Sequence, residues 1–478
     1  MLHKAISRIK GDFMKNFIVL LSAALILMPF LFADAQVAKE DTILSRSQKV
    51  PENTTDSVDR NVPVFSVDKN IRDSDTLSVS GIAGYEDTML TERKSYRETR
   101  KNFSRSSRTF DVLWRSEQTN WDHFIFRYNR VESVFLGLGT EKKFYWDGEK
   151  AWNAYGSIGW GFKSHTWRSN LGLVRQFALR SDEGSGIIEL GMEGYTLTDT
   201  KDQWIISQNE NTAAALLIHE DFRNYFERKG FTLHTAYYFK HDYVKGELTL
   251  AYLADSYDSL TNKVDWSFFG GSKKFRANPI IAPGKMHSAI LSGGISTVTK
   301  TSRAQEGWCL FGSAEFAKKS WGSEFDFDQY IFDLRRFQPL GRYENFNVRF
   351  RVGSTSDVLP LQKKFELGGF GTMNAFPFKS DIGNRMMLVN MEFILNGSVM
   401  DDLNFWPTWI FQHVNIILTS DAGLVKDSSG FGGIKLSDFQ HNFGVALGNR
   451  TGSYRIGLAW RTDQPAPVQF LLRFSRPF

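Results

Sequence analysis

The residues that most often carry out catalysis or bind metals are scattered along this chain. Its nine histidines include no pair with metal-ligand spacing on one recognisable element. A single cysteine, Cys309, excludes an intrachain disulfide and a cysteine-based zinc cluster. The sequence has neither a Gly-x-Ser-x-Gly elbow nor a Gly-x-x-x-x-Gly-Lys-Ser/Thr phosphate loop. We therefore predict no catalytic residues, no bound metal and no cofactor.

Two acidic side chains, Glu392 and Asp421, are the best candidates for a functional site. Each lies on the polar face of a segment in which polar and apolar residues alternate. If both faced an enclosed interior, they would need a partner, because unpaired buried charge is costly. We expect Arg385, Lys379 or another inward base to supply it.

In the segments expected to position these residues, apolar and polar side chains alternate with a period of two. Tyr454, Ile456, Leu458 and Trp460 alternate with polar or small residues, and Phe346–Gly353 shows the same pattern. Strict alternation predicts half-buried β-strands. One exception is Ala213–Phe226, whose spacing predicts an amphipathic helix in a connection between strands.

A soluble β-sandwich also alternates, but two features favour a membrane barrel. The apolar face continues over about ten residues, which is long enough to cross a bilayer at a tilt. The opposite face carries arginines and glutamates, and aromatic residues often end the apolar face, as Tyr454 and Trp460 do. The predicted fold is therefore all-β, a transmembrane antiparallel β-barrel, since strands in lipid must close on themselves.

The strand count supports a barrel of about sixteen strands. Ten candidate strands precede residue 355 and five follow residue 380. Bacterial single-chain barrels have even strand numbers, so one strand is missing, and we place it near Val264–Phe269. Fourteen strands would require one candidate to be a loop.

The N-terminal part of the chain differs from the rest. Residues 1–35 resemble a cleavable signal peptide, with an apolar run that ends at Ala33-Asp34-Ala35. Residues 36–120 are polar and are predicted to be a largely disordered periplasmic segment, whose basic stretch Arg93–Arg108 could contact anionic lipid or a partner. The barrel is assigned to residues 121–478. A formal charge of +5 over 478 residues is too dilute for a nucleic-acid-binding protein.

The segment Leu359–Phe376 resembles a signature of BamA/TamA-like outer-membrane proteins, the bacterial surface antigen superfamily. Its Gly-Gly pair is followed by a short spacer, and the resemblance continues through Asn384–Phe393 and Leu418–Gly423. It implies a sixteen-stranded barrel with an inward plug loop after the eleventh strand. The implied plug-loop residues are Gly368, Gly369, Met373, Asn374, Ala375 and Phe376. The implied lumen acids facing the plug are Glu392 and Asp421, and the implied C-terminal barrel signal is Phe474 and Phe478.

Two departures from that family set limits on the function. The family's signature arginine corresponds to Asn374 here, and the glycine after it to Ala375. Residues 36–120 also lack the pattern of a periplasmic POTRA domain.

Three functions remain open. The resemblance implies a protein in the outer membrane of a Gram-negative bacterium that inserts or exports outer-membrane or surface components. Its partners would be outer-membrane lipid, the barrel assembly machinery for its own insertion, and client outer-membrane or secreted proteins. The alternative is a passive pore or structural barrel without insertase activity, and an outer-membrane hydrolase is the least favoured.

Overall fold

A computed structural model describes residues 123–146, 152–181, 184–300, 305–341, 343–356, 359–397, 399, 414–449 and 454–474. The predicted signal peptide, the predicted polar segment and Phe478 lie outside the described residues. Those assignments stay predictions.

The described residues form sixteen long antiparallel strands and three short ones. The first eleven long strands are β1 (Phe124–Asn129), β2 (Ser133–Thr140), β3 (Trp152–Gly161), β4 (Thr166–Ser181), β5 (Gly184–Asp199), β6 (Phe226–His241), β7 (Val244–Ser259), β8 (Gly284–Ser296), β10 (Gln305–Ala317), β11 (Phe327–Pro339) and β12 (Glu344–Thr355). The last five are β15 (Arg385–Leu395), β16 (Val414–Lys426), β17 (Gln440–Asn449), β18 (Tyr454–Arg461) and β19 (Gln469–Phe474). The short strands are β9 (Thr299–Lys300), β13 (Phe365–Leu367) and β14 (Asp381–Gly383).

Each long strand pairs with the next long strand in the chain. For example, Asn347 of β12 lies opposite Glu392 of β15, and Asn390 of β15 lies opposite Asp421 of β16. This arrangement confirms the prediction of an all-β antiparallel barrel with sixteen strands. Eleven of them precede the segment between β12 and β15, and five follow it.

The prediction of the sixteenth strand near Val264–Phe269 was wrong. The remaining strand is β1, in which Phe124 and Phe126 alternate with the buried Ile125 and Arg127. Six residues give too short an alternation to stand out in the sequence. Residues 264–269 instead belong to the connection between β7 and β8, where the main-chain N–H groups of Phe268 and Phe269 donate to the end of a helix in another connection.

The two faces of the strands differ as the alternation predicts. On β18, Tyr454, Ile456 and Leu458 are exposed, whereas Arg455 and Ala459 are buried. Exposed leucine, isoleucine and aromatic side chains recur on most of the long strands. An apolar outer band with polar groups inside is typical of outer-membrane barrels.

Several long connections lie at the same end of the barrel. They include residues 200–225, 260–283 and 356–384, whereas the turn between β6 and β7 contains only Asp242 and Tyr243.

The connection between β5 and β6 contains a helix, α1 (Gln208–Ile218). The prediction for Ala213–Phe226 placed it too far along the chain. The Ser207 side chain caps its first turn by accepting a hydrogen bond from the Glu210 N–H, and His219 ends it in a left-handed conformation, with φ of 60°. Among the described residues, no helix combines the length and the apolar character needed to cross a bilayer.

Candidate functional site in the barrel interior

The signature loop, residues 359–384, contains the segment that resembles the BamA/TamA signature, and it folds back on itself as a small hairpin. β13 and β14 pair through Phe365 opposite Gly383 and Leu367 opposite Asp381. The chain then turns sharply, and Gly368 and Gly369 have φ angles of 113° and 76°. A Cβ at Gly369 would lie 2.7 Å from the Cα of Phe378. The Gly-Gly pair is therefore required both by its backbone conformation and by the lack of space.

Apolar side chains anchor this hairpin to the inner wall. The cluster contains Phe365, Leu367, Met373, Phe376, Met386 and Leu388. Met373 and Leu388 are completely buried. Because Met386 and Leu388 belong to β15, the cluster fixes the loop against that strand.

Asp421 is the centre of the polar contacts at the loop tip. Its Oδ2 accepts from Asn374 Nδ2 at 3.1 Å and from Asn442 Nδ2 at 2.8 Å. Its Oδ1 accepts from Asn390 Nδ2 at 2.7 Å, and the same amide donates to the main-chain oxygen of Thr372 at 2.9 Å. Amide groups from the loop and from β15 and β17 thus converge on one carboxylate. Ala375, next to Asn374, is also buried.

Glu392 has a basic partner, but it is neither of the two expected. Arg455 on β18 donates from Nη1 to Glu392 Oε1 at 2.5 Å, and both side chains are about 95% buried because each is 5% exposed. The expectation allowed Arg385, Lys379 or another inward base, and the structure places Arg455 at Glu392 in place of the two named residues. Arg385 begins β15, seven residues before Glu392, which is over 20 Å along a strand at roughly 3.3 Å per residue.

Both of the expected bases have other partners. Arg385 donates to the main-chain oxygens of Thr355, Asn384 and Ser429. Lys379 Nζ contacts Asp202 Oδ2 at 2.7 Å and Glu366 Oε2 at 2.8 Å. The alternation on β18 does place Arg455 on the inner face, but the sequence carries no signal for the register that brings it to Glu392.

A second inward segment, residues 200–225, packs against the signature loop. The ring of Phe222 stacks on that of Phe370 with centroids 4.7 Å apart, and Ile205 contacts Gly371 closely. The ion pair between Lys379 and Asp202 joins the same two segments. Burial raises the pKa of Asp202, but the ammonium groups of Lys379 and Lys201 outweigh it and hold that pKa below its ordinary value.

The same segment reaches both the first and the last barrel strand. Thr212 Oγ1 accepts from the main-chain N–H of Tyr128 on β1 at 3.4 Å. Arg473 on β19 donates from Nη2 to the main-chain oxygen of Ile205 at 3.1 Å, and its Nε lies 3.9 Å from Glu210 Oε1. The segment therefore links the two ends of the barrel sheet from inside.

A further charged cluster on the inner wall was not singled out from the sequence. Asp333 on β11 accepts from Arg335 at 2.8 Å, from Arg349 at 2.5 Å and from Arg351 at 2.6 Å. The guanidinium carbon of Arg351 lies 4.2 Å from the ring centroid of Trp204. Arg349 and Arg351 alternate with apolar residues along β12, and Arg335 lies opposite Arg349 on β11. The inward side of β12 could therefore be recognised from the sequence, although the shared partner of the three arginines could not.

The remaining predicted residues lie at the end of the chain. β19 ends at Phe474, and Phe478 is outside the described residues. In the part of the chain that the structure describes, no group of three or more His, Cys, Asp or Glu side chains could hold a metal ion.

Comparisons with known proteins give similarity in structure alone. No family model matches the chain, and no curated protein matches it. CdiB from Acinetobacter baumannii is similar over 74% of this chain and 59% of its own, with 12% identity and a TM-score of 0.37. CdiB from Escherichia coli is similar over 74% of this chain and 62% of its own, with 13% identity and a TM-score of 0.37. The chain thus matches about three fifths of the length of each of these structures.

Proposed function

We propose that this protein is a gated barrel in the outer membrane of a Gram-negative bacterium, which exports or inserts other proteins. The family signature around Gly368 and Gly369 supports the class, and the apolar outer band supports the location. Its partners are outer-membrane lipid, the assembly machinery that inserts the barrel itself, and client proteins of the outer membrane or cell surface.

The observation that carries the proposal is the contact between the two inward segments. Residues 200–225 and the signature loop are joined by the Phe222–Phe370 stack and by the Lys379–Asp202 ion pair. A passive pore needs an interior that stays open. Here the contacts hold two chain segments together inside the barrel. The polar part of the contact can exchange its hydrogen bonds for water when the segments separate, which suits an interior that opens and closes.

A structural barrel without transport activity is the second candidate. Asn374 favours it, because an amide at Asp421 makes a weaker link than a charged side chain would. This arrangement is compatible with a loop that only fills the barrel.

A hydrolase is the least favoured candidate. His219 Nε2 lies 2.8 Å from Asp265 Oδ1, and a Cβ on Gly270 would be 2.2 Å from both His219 Nδ1 and Ser267 Oγ. The Ser267 oxygen is buried, however, and makes no hydrogen bond within the described residues. A substrate could reach it only after the loop rearranged.

The test combines depletion with a reversible cross-link. A chain with Phe222→Cys, Phe370→Cys and Cys309→Ser can be joined by a short thiol cross-linker between the two inward segments. We expect depletion of the protein to remove particular proteins from the outer membrane or cell surface, and the reduced variant to restore them. The cross-linked variant should not restore them. Restoration by the locked barrel would refute gating, and an unchanged protein census with altered solute uptake would favour a passive pore.

A further inference from the structure

Large apolar side chains are exposed on the connection between β7 and β8. Trp266, Phe268 and Phe269 are 50%, 60% and 79% exposed. Leu217 and Ile218, the last two residues of α1, are 42% and 46% exposed. The main-chain N–H of Phe269 donates to the main-chain oxygen of Leu217 at 2.9 Å, so the five residues form one apolar patch. A contiguous apolar patch on a protein surface marks a contact with another protein or with a membrane.

Hydrogen bonds and ring contacts hold the apolar patch in place. The main-chain N–H of Phe268 donates to the Leu216 oxygen at 2.9 Å. The Tyr128 hydroxyl on β1 donates to the main-chain oxygen of Trp266 at 2.6 Å. The rings of Trp266 and Phe268 pack edge to face, with centroids 4.8 Å apart. The backbone that carries these rings is therefore fixed by the rest of the protein, and the rings project from defined positions.

The apolar patch borders the outer face of the first two strands. Tyr128 of β1 lies opposite Val134 of β2, and Leu138 lies on the same face of β2, four residues further along. Leu138 is 61% exposed, whereas Tyr128 is only 2% exposed. Tyr128 packs with Phe275, and Val134 and Val264 pack against the same cluster. The connection thus covers the outer face at the end of these strands, and its apolar patch continues the outer band of the barrel.

The surroundings of the apolar patch favour a bilayer as its partner. Lys263 precedes the aromatic run, Lys273 and Lys274 follow it, and all three are exposed. Lys273 also forms an ion pair with Glu220. Aromatic side chains flanked by lysine are typical of segments at a membrane interface, where the rings enter the headgroup region. Continuity with the outer band favours the same partner, since that band faces lipid in a membrane barrel.

We propose that the apolar patch inserts into the membrane beside the first strand and anchors the connection between β7 and β8 to the bilayer. The rings of Phe268 and Phe269 enter the boundary between headgroups and acyl chains, and Lys263 and Lys274 contact lipid phosphates. The anchor also fixes α1, whose Thr212 accepts a hydrogen bond from the main chain of β1. The proposal rests on the proposed location of the barrel in a membrane, and it does not depend on export or gating.

The experiment attaches an environment-sensitive fluorophore, NBD, to one cysteine of the full chain in a Cys309→Ser background. Phe269→Cys places it in the apolar patch. Leu171→Cys places it on the outer face of β4, at a residue that is 71% exposed. Gly432→Cys places it in another long connection, where a Cβ meets nothing within 4 Å. Each protein is folded in vesicles of phosphatidylcholine and phosphatidylglycerol, with or without nitroxide groups on the acyl chains.

We expect the Phe269→Cys and Leu171→Cys probes to be quenched by the lipid nitroxides and protected from aqueous iodide, and the Gly432→Cys probe to show the opposite. If iodide quenches the Phe269→Cys probe and lipid does not, the patch proposal is wrong. The membrane location still stands if lipid quenches the Leu171→Cys probe. A Leu171→Cys probe that lipid does not quench would refute that location, and the anchor with it. Protection of Phe269→Cys from both quenchers would also overturn the proposal and assign the patch to a protein partner.

A second measurement uses the folding equilibrium in the same vesicles without a probe. Phe269 is 79% exposed, so Phe269→Ser removes little packing within the protein. If the ring lies in lipid, its loss should lower the folding equilibrium constant roughly tenfold, as expected for one apolar side chain. Phe269→Leu keeps an apolar side chain and should change that constant far less. An equilibrium constant that Phe269→Ser leaves unchanged would overturn the proposal.

Discussion

Arg473, on the last barrel strand, donates a hydrogen bond of 3.1 Å from Nη2 to the main-chain oxygen of Ile205. Ile205 lies 268 residues earlier in the chain. Seven residues after Ile205, Thr212 accepts a hydrogen bond from the main-chain N–H of Tyr128 on the first strand. One connection therefore holds both ends of the barrel sheet. Any movement that separates the first and last strands must break contacts with this connection.

Asp221 should be the most sensitive position in that connection. Its Oδ2 accepts from the main-chain N–H of Arg130 at 3.0 Å, and its Oδ1 lies 3.3 Å from Arg130 Nη1. The Arg130 side chain is completely buried, so Asp221→Asn would leave its charge without its carboxylate. We expect a loss of about 3–5 kcal/mol, the usual cost of breaking a buried pair. The measurement is the temperature at which the folded form is lost on semi-native gels.

The matched control for that variant is Asp258→Asn, at an exposed position on β7. It removes the same charge without removing a buried contact and should change the unfolding temperature little. Equal effects of the two variants would show that the Arg130–Asp221 pair does not contribute to stability.

Ile456 should tolerate apolar but not charged substitutions. It is 48% exposed on the outer face of β18, where it would contact lipid. Ile456→Arg near the bilayer midplane should cost about 2–4 kcal/mol, while Ile456→Met should cost far less. The folding free energy in lipid vesicles, measured by denaturant titration, tests this. The next residue, Gly457, is buried on the inner face. It is unsuitable as an inward control, because a Cβ there would lie 2.5 Å from the Cβ of Ala446.

The Glu392–Arg455 pair should be strongly coupled. Both side chains are 5% exposed, so Glu392→Gln leaves a buried guanidinium without its carboxylate and should cost several kcal/mol, on the order of 3–5. Arg455→Met removes the other charge. The double variant should recover much of the loss, because replacing a whole buried pair is often neutral. Additive losses in a double-mutant cycle of unfolding free energies would contradict this coupling.

The Asp202–Lys379 contact predicts a specific dependence on pH. The pKa of Asp202 is held below its ordinary value in the folded protein, so ionised Asp202 contributes stability at pH values above the unfolded-state pKa of about 3.9. That contribution is lost as the pH falls through the folded-state pKa. Asp202→Asn should therefore lower the unfolding temperature at neutral pH, and the difference from the unaltered protein should shrink in acid. A difference that persisted unchanged below that pKa would show that the ion pair is not its cause.

The sequence predicted the barrel well because alternation is a local property. All fifteen candidate strands correspond to long strands of the structure, and only the six-residue β1 was missed. The site could be predicted only in part. Parity is sufficient to place Glu392 and Arg455 on one face, but their contact depends on the register of four strands, β15 to β18. The contacts of Tyr128 and Arg473 depend on how the connection 200–225 folds. Neither leaves a periodic signal.

The last prediction concerns the turn that begins the signature loop. Gly369 has a φ of 76°, and a Cβ there would lie 2.7 Å from the Cα of Phe378. Gly369→Ala should therefore strain the backbone and displace the hairpin, at a cost of about 1–3 kcal/mol. Gly430→Ala is the control, since a Cβ at Gly430 meets nothing within 4 Å. Thermal unfolding of the two variants tests this prediction, and equal unfolding temperatures for Gly369→Ala and Gly430→Ala would contradict it.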